Sequence, residues 1–361
     1  MILSVIVAFR NRELRRVQNF LDSLAAQTMQ DFELIFIDQG SDSAVSSPVK
    51  QVVQGVSNSH YIYNDSEGLL FNKSQALNIG IRVARGKYLM IADIDSVFLP
   101  DFFSSLVARL SPGQFITHNA LYLPEELERV TTKEITENKY FDKCIENFIG
   151  VCTASAEAFS LINGYDEFYT GWGGEDDDII RRLKLGGYRH EHVPAKVMLM
   201  YHQWHPSRAP KEPSLWYLTM TRHLFQQKQA KVEQPAWGKM IDAQERPALH
   251  FYRDGSYKSG VQLNFSESSG HLCYNNFIEG FFNLDRSGVA FIDYPFSTTA
   301  PPRRKRTLFG GGGKEESMST LLTKEKVSDF VEYFLAINRD LILDYYLRIS
   351  SSNLLLVLSR K

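Results

Sequence analysis

The chain contains 361 residues, of which 43% are hydrophobic and 23% are charged, and its formal net charge is −2. This composition is typical of a globular protein with one large or two modest domains, and the near-neutral charge argues against a nucleic-acid partner. The three cysteines match neither a disulfide framework nor a zinc-site spacing, which favours a reducing compartment.

The first part of the chain alternates between strand and helix patterns. The apolar run at residues 2–9 predicts a buried strand, because it is too short for a membrane span or a signal peptide. Leu14, Val17, Leu21 and Leu24 then recur at helical spacing. The later predicted elements are strands at Phe32–Ile37, Tyr61–Tyr63, Tyr88–Ala92 and Gln114–Thr117, and helices at Phe71–Arg85 and around Leu106 and Leu110. This alternation predicts an α/β fold with a mostly parallel central sheet.

The pattern changes after about residue 230. Leu249–Tyr252 and Val261–Phe265 flank a turn signal and predict a β-hairpin. Residues 301–313, rich in proline, glycine and basic side chains, predict an exposed linker, whose basic run could also contact anionic lipid. Val327–Leu347 predicts an amphipathic helix.

We therefore expect two domains, residues 1–235 and a smaller α+β region at residues 236–361. The sequence alone assigns no role to the second region. Its aromatic stretch Tyr274–Phe282 is suited to contact with an acceptor or a partner, or to covering the edge of the sheet.

Acidic and imidazole side chains form a candidate metal site. Asp93 and Asp95 follow a predicted strand, and ligands of parallel α/β sheets bind at the carboxyl ends of strands. Two such carboxylates suit Mn²⁺ or Mg²⁺ bridging a diphosphate, although Asp95 could instead cap a helix. His202 follows a late apolar run and could complete a Mn²⁺ set, while His205 could simply border the site.

Three other residues suggest a nucleotide site. Asp38 ends a predicted strand and could accept a hydrogen bond from a uracil or a ribose, or form a turn. Phe71 and Lys73 could supply a stacking ring and a cation, or a helix start with a solvated lysine.

Four consecutive carboxylates, Glu175 to Asp178, follow a loop of three glycines around Trp172. The apolar spacing after them predicts a helix whose acidic first turn is favoured by the helix dipole. All four acids could simply cap this helix. A flexible glycine loop, an indole platform and a carboxylate base are, however, what transfer of a sugar needs, and Asp176 is placed to face a sugar held against Trp172.

These segments resemble those of the beta-1,4-galactosyltransferases and occur in the same order. The matching segments are Ala8–Arg12, Phe71–Gly80, Asp93–Asp95, Asn163–Tyr165 and Gly171–Ile179. The early part, with Ser4–Ala8 and Asp38–Asp42, is also similar to the bacterial family 2 glycosyltransferases. The resemblance covers roughly residues 1–205, and its Gly-Trp-Gly-Gly-Glu-Asp-Asp-Asp motif is highly specific.

The resemblance implies a nucleotide-diphospho-sugar transferase (GT-A) fold, dependence on Mn²⁺ or Mg²⁺ and inversion at the anomeric carbon. It implies that Asp176 is the base with Glu175 in support, that Asp95 is a metal ligand and that Asp93 is a neighbour of the sugar-nucleotide. Together with the strand-end pattern, it gives Asp95, His202 and Asp93 as the candidate metal-binding residues. The pattern and the resemblance together give the candidate substrate-binding residues, which are Phe9, Arg10, Arg12, Asp38, Phe71, Lys73, Asp93, Ile94, Asn147, Trp172, Gly173 and Gly174.

Two positions bear on how this chain departs from the family it resembles. Leu199 stands where the family has a methionine metal ligand, which leaves the third protein ligand open. Asn147 stands where the family places a residue beside the 2-substituent of the donor sugar, and its intermediate size leans toward an N-acetylated donor.

We therefore predict an inverting, metal-dependent glycosyltransferase that moves galactose or N-acetylgalactosamine from a UDP-sugar to a glycan acceptor. We expect the acceptor to be a surface polysaccharide or a lipid-linked oligosaccharide, and the enzyme to be cytoplasmic, with peripheral contact at the inner face of the membrane left open. The alternatives are a catalytically silent glycan-binding module on the same fold, a retaining transferase, or a transferase that uses another donor such as UDP-glucose.

Overall fold

The computed structural model describes residues 1–138, 140–171, 173–206, 215–268, 271–285, 288–296 and 324–361. The chain divides into two compact units. The first comprises Met1–Glu67, Phe71–Pro213 and Tyr217–Ile241, and the second comprises Gly68–Leu70, Ser214–Trp216 and Asp242–Lys361.

Strands and helices mostly alternate up to Tyr122, as the sequence predicted. Up to residue 226, the strands are β1 (Leu3–Phe9), β2 (Phe32–Asp38), β3 (Ser59–Tyr63), β4 (Tyr88–Ala92), β5 (Ser96–Phe98), β6 (Gln114–Tyr122), β7 (Ile145–Ser155), β8 (Arg189–Val193) and β9 (Met200–His202). The helices are α1 (Leu14–Ala25), α2 (Ser43–Gln54), α3 (Lys73–Val83), α4 (Phe102–Arg109), α5 (Thr132–Asn138), α6 (Ala156–Leu161), α7 (Glu175–Leu185) and α8 (Leu215–Gln226).

Within the described residues these strands form one nine-stranded sheet, in the order β3-β2-β1-β4-β7-β6-β9-β5, with β8 also paired to β6. Strand β1 is parallel to β2 and β4, and β2 is parallel to β3, so the carboxyl ends of these four strands meet at one edge. Strand β7 runs antiparallel between β4 and β6. The predicted α/β fold with a mostly parallel sheet is confirmed.

Successive side chains of β1 point to opposite faces of the sheet, and both faces are buried, as expected of a parallel strand covered by helices. Val5 and Val7 pack in one core with α1, while Ile6 packs in another with α3. Helix α3 lies so close to β1 that a Cβ on Gly80 would come within 2.3 Å of the Ile6 side chain. This packing holds α3 directly against β1.

The second unit contains a smaller sheet. Its elements from residue 247 are α9 (Pro247–Asp254), β10 (Val261–Gln262), β11 (Ser266–Ser268), β12 (His271–Cys273), α10 (Asn275–Phe282), β13 (Val289–Pro295), α11 (Lys324–Ile337), β14 (Ile342–Ile349) and β15 (Asn353–Arg360). As far as the structure describes it, the order of this sheet is β10-β13-β15-β14. None of the described helices of either unit is both long enough and apolar enough to cross a bilayer.

Two predictions in this region are wrong. The supposed first strand of the hairpin, Leu249–Tyr252, lies in helix α9, and Val261–Gln262 pairs in parallel with β13 instead. The predicted helix at residues 327–347 ends at Ile337, because the chain then enters β14, which pairs with β15. The predicted linker at residues 301–313 lies outside the described residues.

Candidate active site

Two of the predicted nucleotide-binding residues, at the ends of β1 and β2, are largely occupied with the fold itself. Phe9 is fully buried, with its ring centroid 5.1 Å from that of Phe36. The buried Asp38 carboxylate accepts hydrogen bonds from the Ser41 amide at 2.9 Å and the Tyr61 hydroxyl at 2.5 Å. These bonds support the turn-forming alternative for Asp38 and orient the loop that follows β2.

The two arginines after β1 lie at the same edge. Arg10 is half-buried, and its guanidinium reaches the Ser66 carbonyl at 3.4 Å. Arg12 is also half-buried, and its charge helps to lower the pKa of Asp95, which places it beside the candidate metal ligands.

The glycine loop is tied to the start of α3. The Gly171 amide donates to the Phe71 carbonyl at 2.7 Å. Gly173 and Gly174 have φ values of 95° and 91°, which favour glycine, and Gly174 is the N-cap of α7. Trp172 lies outside the described residues.

Three side chains form a candidate metal site, here called the metal triad: Asp95, His202 and His205. Their ligand atoms all lie within 4.8 Å of one another. The Asp95 carboxylate is 3.4 Å from His202 Nε2 and 3.1 Å from His205 Nε2. Antiparallel pairing of β5 with β9 sets Ser96 opposite His202, which brings Asp95 to the imidazoles.

The donor set of the metal triad fits a divalent cation. His205 Nδ1 lies 2.9 Å from the Pro206 carbonyl. When Nδ1 carries the ring proton, it donates a hydrogen bond to this carbonyl, and the unprotonated Nε2 faces Asp95. Burial would raise the pKa of Asp95, but His202 and His205 hold it well below its usual range. Two imidazoles and one carboxylate suit Mn²⁺ better than Mg²⁺, which prefers oxygen ligands. His205 is thus placed where a third ligand is needed.

Tyr122 holds one imidazole of the triad in place. Its ring stacks on His202 with centroids 4.1 Å apart and an interplanar angle of 13°. Its hydroxyl donates to the Phe148 carbonyl at 2.8 Å. Burial and the charges of Asp93, Asp95 and Asp176 raise the pKa of Tyr122. No sequence signal marked Tyr122, because its role depends on how β6 lies beside β9.

A second group, here called the Lys73 cluster, lies next to the triad and consists of Lys73, Asp93, Glu175 and Asp176. The Lys73 ammonium is 3.1 Å from Asp93, 3.3 Å from Glu175 and 3.5 Å from Asp176. Burial alone would lower the pKa of Lys73, but the three carboxylates hold it well above its usual value. Asp93, predicted beside the metal, is therefore paired with Lys73, and Asp95 alone of the two strand-end carboxylates joins the triad.

Asp176 is a carboxylate with a raised pKa. Burial raises the pKa of Asp176 to about 7, Glu175 and Asp93 add to the rise, and Lys73 opposes it. Strand β7 makes room for it at Gly150, where an added Cβ would lie 2.6 Å from an Asp176 carboxylate oxygen. A carboxylate whose pKa is near neutral can take up a proton during a reaction at physiological pH.

The other acids of α7 have different surroundings. Asp178 and Arg182 are fully buried and form an ion pair at 2.6 Å. Arg182 also donates to the Ile162 and Gly164 carbonyls. Asp177 is exposed. The four acids therefore do not share the single capping role that the sequence left open.

Two remaining candidates lie beside these groups. Ile94 is buried between Asp93 and Asp95. Asn147 is exposed on β7, opposite Ala120, and its neighbour Ile145 is opposite Tyr122. Because paired residues and every second residue of a strand share a face, Asn147 lies on the face that carries Tyr122 and His202.

The sheet order, the carboxylates after β4 and the acidic start of α7 together define a GT-A glycosyltransferase fold. Two family models match this part of the chain. Residues 4–154 match glycosyl transferase family 2, and residues 131–206 match the N-terminal domain of galactosyltransferase. These matches confirm the predicted resemblance and identify a glycosyltransferase domain in the first unit.

Curated relatives agree with these matches. The chain is 29% identical over 131 residues to human beta-1,4-galactosyltransferase 1 and 28% identical over 137 residues to beta-1,4-galactosyltransferase 3 of Cricetulus griseus. It is 25% identical over 228 residues to human chondroitin sulfate N-acetylgalactosaminyltransferase 2. The alignments cover 35%, 38% and 58% of this chain, and only 29%, 32% and 41% of the respective relatives.

A solved structure was also found to be similar. It is a mannosyltransferase from Pyrobaculum calidifontis in complex with GDP-Man and Mn²⁺, with a TM-score of 0.42 and 19% sequence identity. The match covers 57% of this chain and 58% of that one.

Proposed function

We propose that this protein is an inverting, metal-dependent glycosyltransferase that moves galactose or N-acetylgalactosamine from a UDP-sugar to a hydroxyl of a glycan. The observation that carries the proposal is that the two carboxylates after β4 serve adjacent groups: Asp95 joins His202 and His205, while Asp93 shares Lys73 with Asp176. The similarity to a galactosyltransferase and an N-acetylgalactosaminyltransferase supports this donor class.

The two groups divide the chemistry of an inverting transfer. Asp95, His202 and His205 would hold Mn²⁺, which would offset the charge that grows on the departing diphosphate. Asp176 would accept the proton of the acceptor hydroxyl as that oxygen attacks the anomeric carbon from the opposite side. Glu175, which is largely buried at the start of α7, would support the sugar.

Release of UDP tests the proposal directly. The protein would be incubated with Mn²⁺ and, in turn, UDP-galactose, UDP-N-acetylgalactosamine, UDP-glucose and UDP-N-acetylglucosamine, with UDP measured after each incubation. We expect release from the first two donors, and loss of release in His202→Ala. Release from UDP-glucose alone would overturn the donor assignment, and sugar binding without release from any donor would indicate a silent glycan-binding module.

Asn147 is proposed to select the donor sugar. Its place on the face of Tyr122 and His202 supports contact with the 2-substituent of the donor. We expect Asn147→Tyr to reduce use of the N-acetylated donor more than use of UDP-galactose, because the larger ring fills the space of the acetamido group. An unchanged donor ratio would contradict this role.

We also propose that residues 236–361 hold the acceptor, a surface polysaccharide or a lipid-linked oligosaccharide, and are not needed to bind the nucleotide. Every candidate donor-binding residue lies before residue 206. Because Gly68–Leu70 belong to the second unit, a chain ending at Ile241 would first be shown to fold by thermal unfolding. The folded chain would then be tested for UDP binding. A folded chain that fails to bind UDP would refute this division.

A further inference from the structure

We propose that Lys73 is a positioning residue that holds Asp176 and Asp93 in one ion-paired cluster, instead of binding the uracil ring. The proposal rests on the proposed function only in naming Asp176 as the base. The contacts around Lys73 are independent of that assignment.

The ammonium of Lys73 is surrounded by carboxylates, and it donates a hydrogen bond to Asp176 at 3.5 Å. An ammonium has three N–H donors, and three carboxylates lie within 3.5 Å of it, contributed by Asp93, Glu175 and Asp176. Its side chain is only 18% exposed. A nucleotide base could therefore bind this nitrogen only if the cluster opened.

The place of Lys73 in α3 points the same way. It is the first residue of the helix, after the N-cap Asn72, and a positive charge there opposes the helix dipole. The dipole of α3 therefore does not stabilise the charge of this lysine. The acids at the start of α7 stabilise it instead, and the hydrogen bond between Gly171 and Phe71 keeps the two helix starts adjacent.

Removal of the ammonium would leave three carboxylates close together. Asp176 would then take up a proton at a higher pH than it does beside the lysine, because like charges disfavour its ionised form. The titratable groups that act on or respond to Asp176 are Lys73, Glu175, Asp93, Cys152, Tyr165 and Tyr122.

Binding of uridine separates the two roles of Lys73. Uridine carries the uracil ring without the phosphates, so its affinity reports ring recognition without the charge of the cluster. We expect Lys73→Met to leave uridine affinity unchanged in calorimetry, as the exposed-lysine control Lys50→Met should. Loss of uridine binding in Lys73→Met alone would overturn the proposal.

The pH profile tests positioning of the base. The probe reaction is hydrolysis of UDP-galactose by water, followed by the release of UDP. The acid limb of its pH profile should move to higher pH in Lys73→Met and should lie at the pH of the unaltered protein in Lys73→Arg. At high pH, turnover of Lys73→Met should approach that of the unaltered protein. A loss of equal size at every pH would overturn the proposal.

Thermal unfolding tests the cluster without any transfer activity. We expect Lys73→Met to lower Tm, and Asp176→Asn to raise Tm in the Lys73→Met background more than in the unaltered protein. Additive changes in Tm would refute the cluster. Coupled changes in a protein that releases no UDP would uphold the cluster and refute the proposed function. If Lys73→Met does not fold, the same comparison is made with Lys73→Met/Asp93→Asn, whose charge is closer to balance.

Discussion

Three adjacent acids of α7 illustrate how the surroundings of a carboxylate decide its chemistry. Asp176 lies against Lys73 with a raised pKa, Asp177 is exposed, and Asp178 is buried against Arg182. They have the same side chain and occupy successive positions in the helix. Asp177 is therefore a matched control for a change at either neighbour.

Asp176→Asn should reduce turnover by roughly 10²–10⁴-fold, the usual loss when a general base is removed. Asparagine keeps the shape of the side chain but cannot accept the proton. UDP binding, measured by calorimetry, should stay nearly unchanged, and Asp177→Asn should retain turnover. If Asp176→Asn turns over normally while Glu175→Gln does not, the base is Glu175.

With Asp176 as the proposed base, its raised pKa sets the expected pH dependence of turnover. A base acts only when it is deprotonated, so a pKa of about 7 means that activity is present above neutral pH and falls as the pH decreases through 7. A carboxylate with an ordinary pKa would keep its activity well into the acid range. Turnover measured at saturating donor across this range distinguishes the two.

His205→Ala tests the third ligand of the metal triad. We expect Mn²⁺ affinity, measured by calorimetry without donor, to fall by at least about 10-fold, as changes around metal sites commonly cause. His202→Ala should cause a similar loss, whereas the exposed His250→Ala should cause none. Unchanged affinity in His205→Ala would show that another group completes the site.

At the scale of elements, Arg182 links α7 to the segment before the glycine loop by donating to the Ile162 and Gly164 carbonyls, and Asp178 of the same helix balances its buried charge. Asp178→Asn would leave a buried guanidinium without its counter-charge. We expect the free energy of unfolding in urea to fall by about 3 kcal/mol, as in other buried pairs that lose one partner. Asp177→Asn should leave it unchanged. A loss of turnover without a loss of stability would contradict a purely structural role for Asp178.

Most elements before residue 190 could be predicted from the sequence, because their apolar periodicity is regular. Helix α2 and the central strand β7 of the first unit were not predicted, and the two wrong assignments lie in the second unit. Pro247 at the first turn and Gly255 with φ 78° mark the ends of α9, but the apolar residues between them were interpreted as a strand. The apolar residues of β14 fit helical spacing equally well, and it is pairing with β15 that makes them a strand.

The site was predictable where a local motif carries it and not where distant segments meet. Asp95 and His202 could be named, and they do come together. The ion pairs of Lys73, by contrast, depend on how α3 and α7 begin side by side, and the room for Asp176 depends on Gly150 in β7. Neither relation leaves a periodic signal in the sequence.

At the scale of the whole molecule, each unit has its own apolar core. Two core clusters cover the faces of the large sheet, and a third, which includes Phe277, Phe334 and Leu356, belongs to the second unit. The second unit also includes Gly68–Leu70, where the Leu347 amide donates to the Gly68 carbonyl at 2.7 Å. The division of the fold is therefore not a single cut in the sequence.

The pairing of β5 with β9 also governs when a cation can be captured during synthesis. Asp95 precedes His202 and His205 by more than 100 residues in the chain, so the proposed Mn²⁺ site is incomplete in a nascent chain until β9 has paired with β5. By mass action, the ion should then favour the docked state. We expect Mn²⁺ to slow amide hydrogen exchange in β5 and β9 and to leave β2 unaffected, as measured by mass spectrometry. Equal protection of all three strands would show that the ion stabilises the domain as a whole and not its last-made strand.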